Sequence, residues 1–126
     1  MAYRNILLID DDVDEHEIFQ KALEKISSLG VFVGLTSANV ALQELASRKI
    51  ITDVIFLDLN MPVMGGIEFL KEIKQIEELN KIPIIIYSTT SHSGTIQETK
   101  HLGAHDFITK PDKLDDLVNI LQSLEI

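Results

Sequence analysis

Three consecutive aspartates, Asp10, Asp11 and Asp12, close a short apolar run near the start of the chain. A fourth, Asp58, closes a second such run, the hydroxyl pair Ser88-Thr89 follows a third, and Lys110 follows a fourth. Clustered carboxylates with no thiolate and no paired histidines make a hard oxygen site, suited to Mg2+ or Mn2+ and not to zinc. Magnesium takes one or two carboxylates together with phosphate oxygens. A metal and a lysine would neutralise the charge of a phosphoryl group, a hydroxyl would hold one oxygen, and a carboxylate oxygen could accept it. Asp58, at the end of a run that is apolar up to that point, is the best-placed nucleophile.

Charge density supports a cation at the first cluster. Six of the eight residues from Asp10 to Glu17 are Asp or Glu, a concentration that self-repulsion makes costly unless something cationic sits there. Taken singly, each feature has a plainer explanation. An acidic triplet before a helix caps it and complements its dipole, Asp58 suits a turn, Ser88-Thr89 suits a cap, and Lys110 before Pro111 suits a solvated surface. Four separate segments ending in complementary groups do not fit that explanation together.

The elements that must hold these residues follow from the apolar pattern. Asn5 to Ile9, Val31 to Leu35, Asp53 to Leu57, Ile84 to Tyr87 and Phe107 to Thr109 read as short buried strands. Between them lie helical stripes. Ile18, Phe19, Ala22, Leu23, Ile26 and Leu29 mark the first, capped by Asp12 or Asp14 and stopped by Gly30. Val40, Ala41, Leu45 and Ala46 mark the second, capped by Ser37, and Ile67, Leu70, Ile73 and Ile76 the third. The fourth, from Gly94 to Leu102, has only Ile96 and Leu102 as large apolar anchors. Leu114, Leu117, Val118, Leu121 and Leu124 make the last. Continuous apolar strands alternating with helices predict an α/β fold: a doubly wound, five-stranded parallel sheet with helices on both faces. Ligands of such folds bind beyond the carboxyl ends of the strands, where the strand order reverses. The four chemical groups stand at those ends.

Composition bounds the rest. The 126 residues, uninterrupted by linker or repeat, are the size of one domain spanning 1–126. The absence of cysteine excludes disulfide frameworks, zinc–cysteine sites, iron–sulfur clusters and thiol catalysis. Eleven basic against twenty acidic residues give a net charge of −9, which argues against nucleic acid or an anionic membrane as a partner. No apolar run reaches the roughly 20 residues of a membrane span, and the N-terminus turns acidic before a signal-peptide core develops; the expectation is a cytoplasmic protein. His16, His92, His101 and His105 are scattered without ligand-type pairing, and solvent exposure is the expectation for His92.

The segments LLIDDD, FLDLNMPVMGG, IIIYSTT and DFITKP, in this order and on these elements, resemble the receiver domain of two-component response regulators over the whole chain. The resemblance implies a (βα)5, flavodoxin-like fold in which Asp58 is the phosphoacceptor. It implies that Asp10, Asp11, Asp58 and the backbone carbonyl of Asn60 hold Mg2+ or Mn2+. Ser88 and Phe107 match the switch positions, Lys110 the phosphoryl-binding lysine, and Thr89 the small residue after the hydroxyl. It further implies a cis Lys110-Pro111 bond. Gly65 replaces a frequent acid, from which a looser start to the third helix is expected, and Ser88 replaces a more frequent threonine.

On this resemblance the chain is a signalling switch and not an enzyme in its own right. A histidine kinase or histidine phosphotransfer protein would phosphorylate Asp58, and the surface around the last two strands and helices would change for a downstream protein target. The chain would act as a monomer or a phosphorylation-dependent dimer. It ends directly after the last helix, so no separate output domain is expected. A Mg2+-dependent aspartyl-phosphate hydrolase is the alternative. Its usual nucleophile follows the first strand in a D-x-D arrangement, whereas Asn60 stands two residues after Asp58. A flavodoxin-type FMN binder would need a Ser/Thr/Gly-rich loop where this chain has carboxylates.

Overall fold

The computed structural model describes residues 3–26 and 30–124. Strands β1 (Asn5–Ile9), β2 (Val31–Leu35), β3 (Val54–Leu57), β4 (Ile84–Ser88) and β5 (Asp106–Thr109) form one parallel sheet in the order β2-β1-β3-β4-β5. Helices α1 (Val13–Lys25), α2 (Ala38–Ala46), α3 (Gly66–Lys74), α4 (Ser93–His101) and α5 (Leu114–Ser123) alternate with them. This is the doubly wound arrangement expected from the alternation.

Side chains along a strand alternate between faces, and here both faces are apolar. Ile6 and Leu8, Val54 and Phe56, and Ile85 and Tyr87 pack with Phe19, Ala22 and Leu23 of α1 and Leu117 and Leu121 of α5. Leu7 and Ile9, Ile55 and Leu57, and Ile84 and Ile86 pack with Ala38, Ala41 and Leu45 of α2 and Phe69, Leu70 and Ile73 of α3. Burial on both faces explains why the central strands read as unbroken apolar runs. Phe19 anchors the first layer, meeting Phe56 edge-on at 4.9 Å and Tyr87 edge-on at 5.6 Å.

Several boundaries differ from the sequence pattern. Helix α1 ends at Lys25 with Ile26 as its C-cap, and Leu29 lies outside the described residues. Asp12 is the N-cap, its carboxylate accepting the Asp14 amide at 3.0 Å. Ser37 caps α2 as expected. Strand β3 begins at Val54, and Asp53 before it ties the start of β1, its amide donating to the Asn5 carbonyl at 2.8 Å and its carboxylate accepting the amides of Arg4 and Asn5 at 3.1 and 2.8 Å. Helix α3 stops at Lys74, and Ile76 reaches the core from the turn beyond it. The expected cis Lys110-Pro111 bond is corrected: no described peptide bond is cis. The trans isomer is favoured by about 0.5–1 kcal/mol before any tertiary contact, and the Lys110 amide meets its partner, the Ser88 carbonyl, at 2.7 Å in that form.

Candidate functional site

Strand order reverses between β1 and β3, and Ile9 pairs with Leu57 there. The residues that follow, Asp10 and Asp58, therefore emerge side by side, tied by the Asp58 amide donating to the Ile9 carbonyl at 2.9 Å. Asp10 is fully buried and Asp58 is 6% exposed, while Asp11 is exposed. Asp10, Asp11 and Asp58 each bring a carboxylate oxygen within 4.8 Å of the others. The donor set is all oxygen and anionic, which fits a hard divalent cation. Asn60 is exposed, two residues beyond Asp58.

Lys110 crosses to these acids from the end of β5. Its Nζ lies 2.7 Å from Asp10 Oδ2 and 3.7 Å from Asp58 Oδ1, and 5.5 Å from the centroid of the Tyr87 ring. Burial alone disfavours the ammonium, but the hydrogen bond and charge of Asp10, with Asp58 and Glu15, outweigh it and raise the Lys110 pKa. For Asp58, burial and then repulsion from Asp10 push the carboxyl up to about 6, against a weaker pull from Lys110. Burial, assisted by Glu15 and Asp10, also raises the Tyr87 phenol. Glu15 is raised by burial, and by Asp10, Asp12 and Asp14, against Lys110.

The remaining candidates lie on β4 and β5 or follow them, with different exposures. Ser88, the last residue of β4, is fully buried, and its Oγ accepts the Thr90 amide at 3.3 Å. Thr89 is exposed. Phe107 pairs with Ile86 across β4 and β5 and is partly buried against the α2–α3 layer. His92, at the N-cap of α4, is exposed as expected.

Two features of the Asp58 loop escape a reading by residue type. Gly66 opens α3 directly against the strand end, and a Cβ there would overlap the Asp58 carbonyl oxygen and come 2.8 Å from Leu59 Cα. Gly65, the N-cap, has no side chain with which to cap the helix. Val63 takes a φ of 69° and is 93% exposed, a left-handed conformation unusual for a β-branched residue.

Residues 6–122 match the family model for the response regulator receiver domain. The chain belongs to this family. The protein-glutamate methylesterase/protein-glutamine glutaminase of Treponema denticola is 37% identical over 108 residues, which are 84% of this chain and 28% of that protein. The two-component response regulator ORR1 of Oryza sativa subsp. japonica is 31% identical over 118 residues, 89% of this chain and 51% of the relative. The receiver domain thus spans about half or less of the length of these curated relatives. Among solved structures, the phosphorylated cyanobacterial phytochrome response regulator RcpA superposes with a TM-score of 0.88 at 29% identity, covering 98% of this chain and 92% of that one. The Mn2+-bound form of the response regulator Rcp1 gives 0.85 at 27% identity, covering 97% and 91%. The chemotaxis response regulator CheY4 of Vibrio cholerae gives 0.80 at 27%, covering 98% and 99%. No helix among the described residues of the receiver domain is long and apolar enough to cross a membrane.

Proposed function

We propose that this receiver domain is a phospho-accepting switch in which Asp58 takes a phosphoryl group from a histidine kinase or histidine phosphotransfer protein. The observation that carries this reading is the position of Asp58: nearly buried, beside Asp10, with the Lys110 ammonium 3.7 Å from its Oδ1. In the transfer, a carboxylate oxygen of Asp58 forms the new bond to phosphorus while the bond from phosphorus to the donor imidazole breaks, and the imidazole leaves as the neutral base once protonated. Lys110 stands where it can pair with the added charge, and Ser88 at the end of β4 can donate its hydroxyl to a phosphoryl oxygen. Thr89 follows it in the chain and is exposed, and Phe107 lies one strand away.

Asp10, Asp11, Asp58 and the Asn60 carbonyl would hold Mg2+ or Mn2+. A divalent cation bound there supplies charge neutralisation for the phosphoryl oxygens. The receiver domain itself would promote only its own phosphorylation and dephosphorylation, acting from the cytoplasm through a protein target. Nothing favours the hydrolase alternative over membership of the receiver family.

Intact mass of the protein incubated with acetyl phosphate and Mg2+ tests this reading. One phosphoryl group should appear and Asp58→Asn should abolish it. Labelling of Asp58→Asn at the wild-type rate would overturn the assignment.

A further inference from the structure

His16, on the first turn of α1, is half-buried against the end of β1. Its Nε2 lies 2.7 Å from the backbone carbonyl oxygen of Asp10. A carbonyl can only accept, so this nitrogen carries the proton. The other ring nitrogen, Nδ1, is buried and has no hydrogen-bond partner. Moving the proton from Nε2 to Nδ1 would leave a buried N–H without an acceptor and also turn the Nε2 lone pair on the Asp10 carbonyl, two unmet groups in place of one lone pair. The ring fits because residue 34 is glycine. A Cβ at Gly34 would overlap His16 Nδ1 and lie 2.8 Å from its Cε1.

With this contact every polar atom of Asp10 is held. Its amide donates to the Leu35 carbonyl at 3.0 Å, Oδ1 accepts the Asp12 amide at 3.0 Å, Oδ2 accepts Lys110 at 2.7 Å, and the carbonyl accepts His16. We infer that His16, seated in the space left by Gly34, is a positioning residue that fixes the main chain of Asp10 and so aims its carboxylate at Lys110 and the cation site. The cation arm of this inference rests on the proposed role of Asp10 in holding a metal; the Lys110 arm does not. Partners that orient a ligating residue typically change metal affinity by about 10–100-fold when removed, and a contact made through the backbone belongs at the lower end.

The test uses the whole chain with Mg2+ as the probe, alongside melting curves in EDTA. His16→Met should weaken Mg2+ binding roughly tenfold and shift the Lys110 Nζ resonance of the metal-free protein. His16→Gln, which keeps a donor on a side chain of similar reach, should recover most of both. Gly34→Ala retains the imidazole but displaces it, so it should act like His16→Met. In a His16→Ala background the same change should have little further effect. In wild type, long-range proton–nitrogen spectra should show the Nε2–H tautomer. The inference is overturned if His16→Met leaves both Mg2+ affinity and the Lys110 signal unchanged, if Gln rescues nothing, or if the ring carries its proton on Nδ1 alone. Failure of wild type to bind Mg2+ would instead overturn the metal reading, and the Lys110 and tautomer signals would still decide the role of His16.

Discussion

Lys110 Nζ stands 3.7 Å from Asp58 Oδ1 but 2.7 Å from Asp10 Oδ2, so the ammonium is bound to the neighbouring acid and only leans on the phosphoacceptor candidate. The asymmetry leaves Asp58 under-compensated, which is why burial and Asp10 together hold its carboxyl at about 6. It also leaves room for a stronger attachment once more negative charge is placed on Asp58.

The first expected outcome is a titration. In EDTA the Asp58 carboxyl carbon should titrate near pH 6 by NMR, against a usual value of 3.8. Lys110→Met should move it higher and Asp10→Asn lower, since these groups pull in opposite directions. The sign for stability follows by linkage. Between the unfolded and folded values the native state binds the extra proton, so this group's contribution to stability falls as pH rises from about 4 to about 6. Asp58→Asn should flatten that part of the melting-temperature profile.

Divalent cation should reverse the penalty. A ligand that binds only the folded state adds RT ln(1 + [L]/Kd), about 2.7 kcal/mol at a hundredfold excess over Kd. Mg2+ in the millimolar range should raise the melting temperature and lower the Asp58 titration point, and Asp11→Ala should remove most of the gain. A melting temperature that stays flat up to tens of millimolar would argue against the site.

Two substitutions in the loop after Asp58 should act in opposite directions. Val63→Asn should stabilise by about 1 kcal/mol, because asparagine adopts the left-handed conformation at lower cost. Gly66→Ala should destabilise by roughly 1–3 kcal/mol through overpacking against the Asp58 carbonyl. Urea unfolding of both variants checks the pair.

Most of the sheet and the convergence of acids and lysine could be read from the chain because parallel strands buried on both faces leave a long apolar signature, and polar residues at their ends stand out against it. Two boundaries shift by tertiary contact: Asp53 directly precedes the apolar run of β3 but its carboxylate takes the amides at the start of β1, and Ile76 has the residue type of α3 but reaches the α2–α3 core from the turn after it. His16 and Gly34 were opaque for a related reason. Neither forms a motif within its own segment, and their fit exists only once α1 lies beside β2. The Thr99 hydroxyl is similar: it supplies the buried residue of α4 by donating to the Ile96 carbonyl at 2.9 Å, where the sequence pattern offered only Ile96 and Leu102.

That thin anchoring shapes the last expected outcome, which links the site to a surface. Helix α4 buries one side chain, and a cleft of about 250 Å³ lies between it and β5, lined by residues including Ile96, Lys100, Ala104 and Phe107. A helix with so few buried contacts should shift at low cost. A phosphoryl group on Asp58 would offer oxygens to Ser88 and Lys110, and drawing the Ser88 hydroxyl toward it would free space beside β4 for Phe107, which pairs with Ile86 two residues before Ser88. A ligand biases such an equilibrium only through interactions that differ between the two states, and the Ser88 hydroxyl is the group whose partner would change. Beryllofluoride with Mg2+ should therefore shift amide signals at Asp10, Asp58 and Lys110 and also across residues 88–120. Ser88→Ala should still accept a phosphoryl group from acetyl phosphate while losing most of the shifts in α4 and β5. Shifts confined to the acidic loops in wild type would mean that phosphorylation does not move this face, and the partner surface would then have to involve α1.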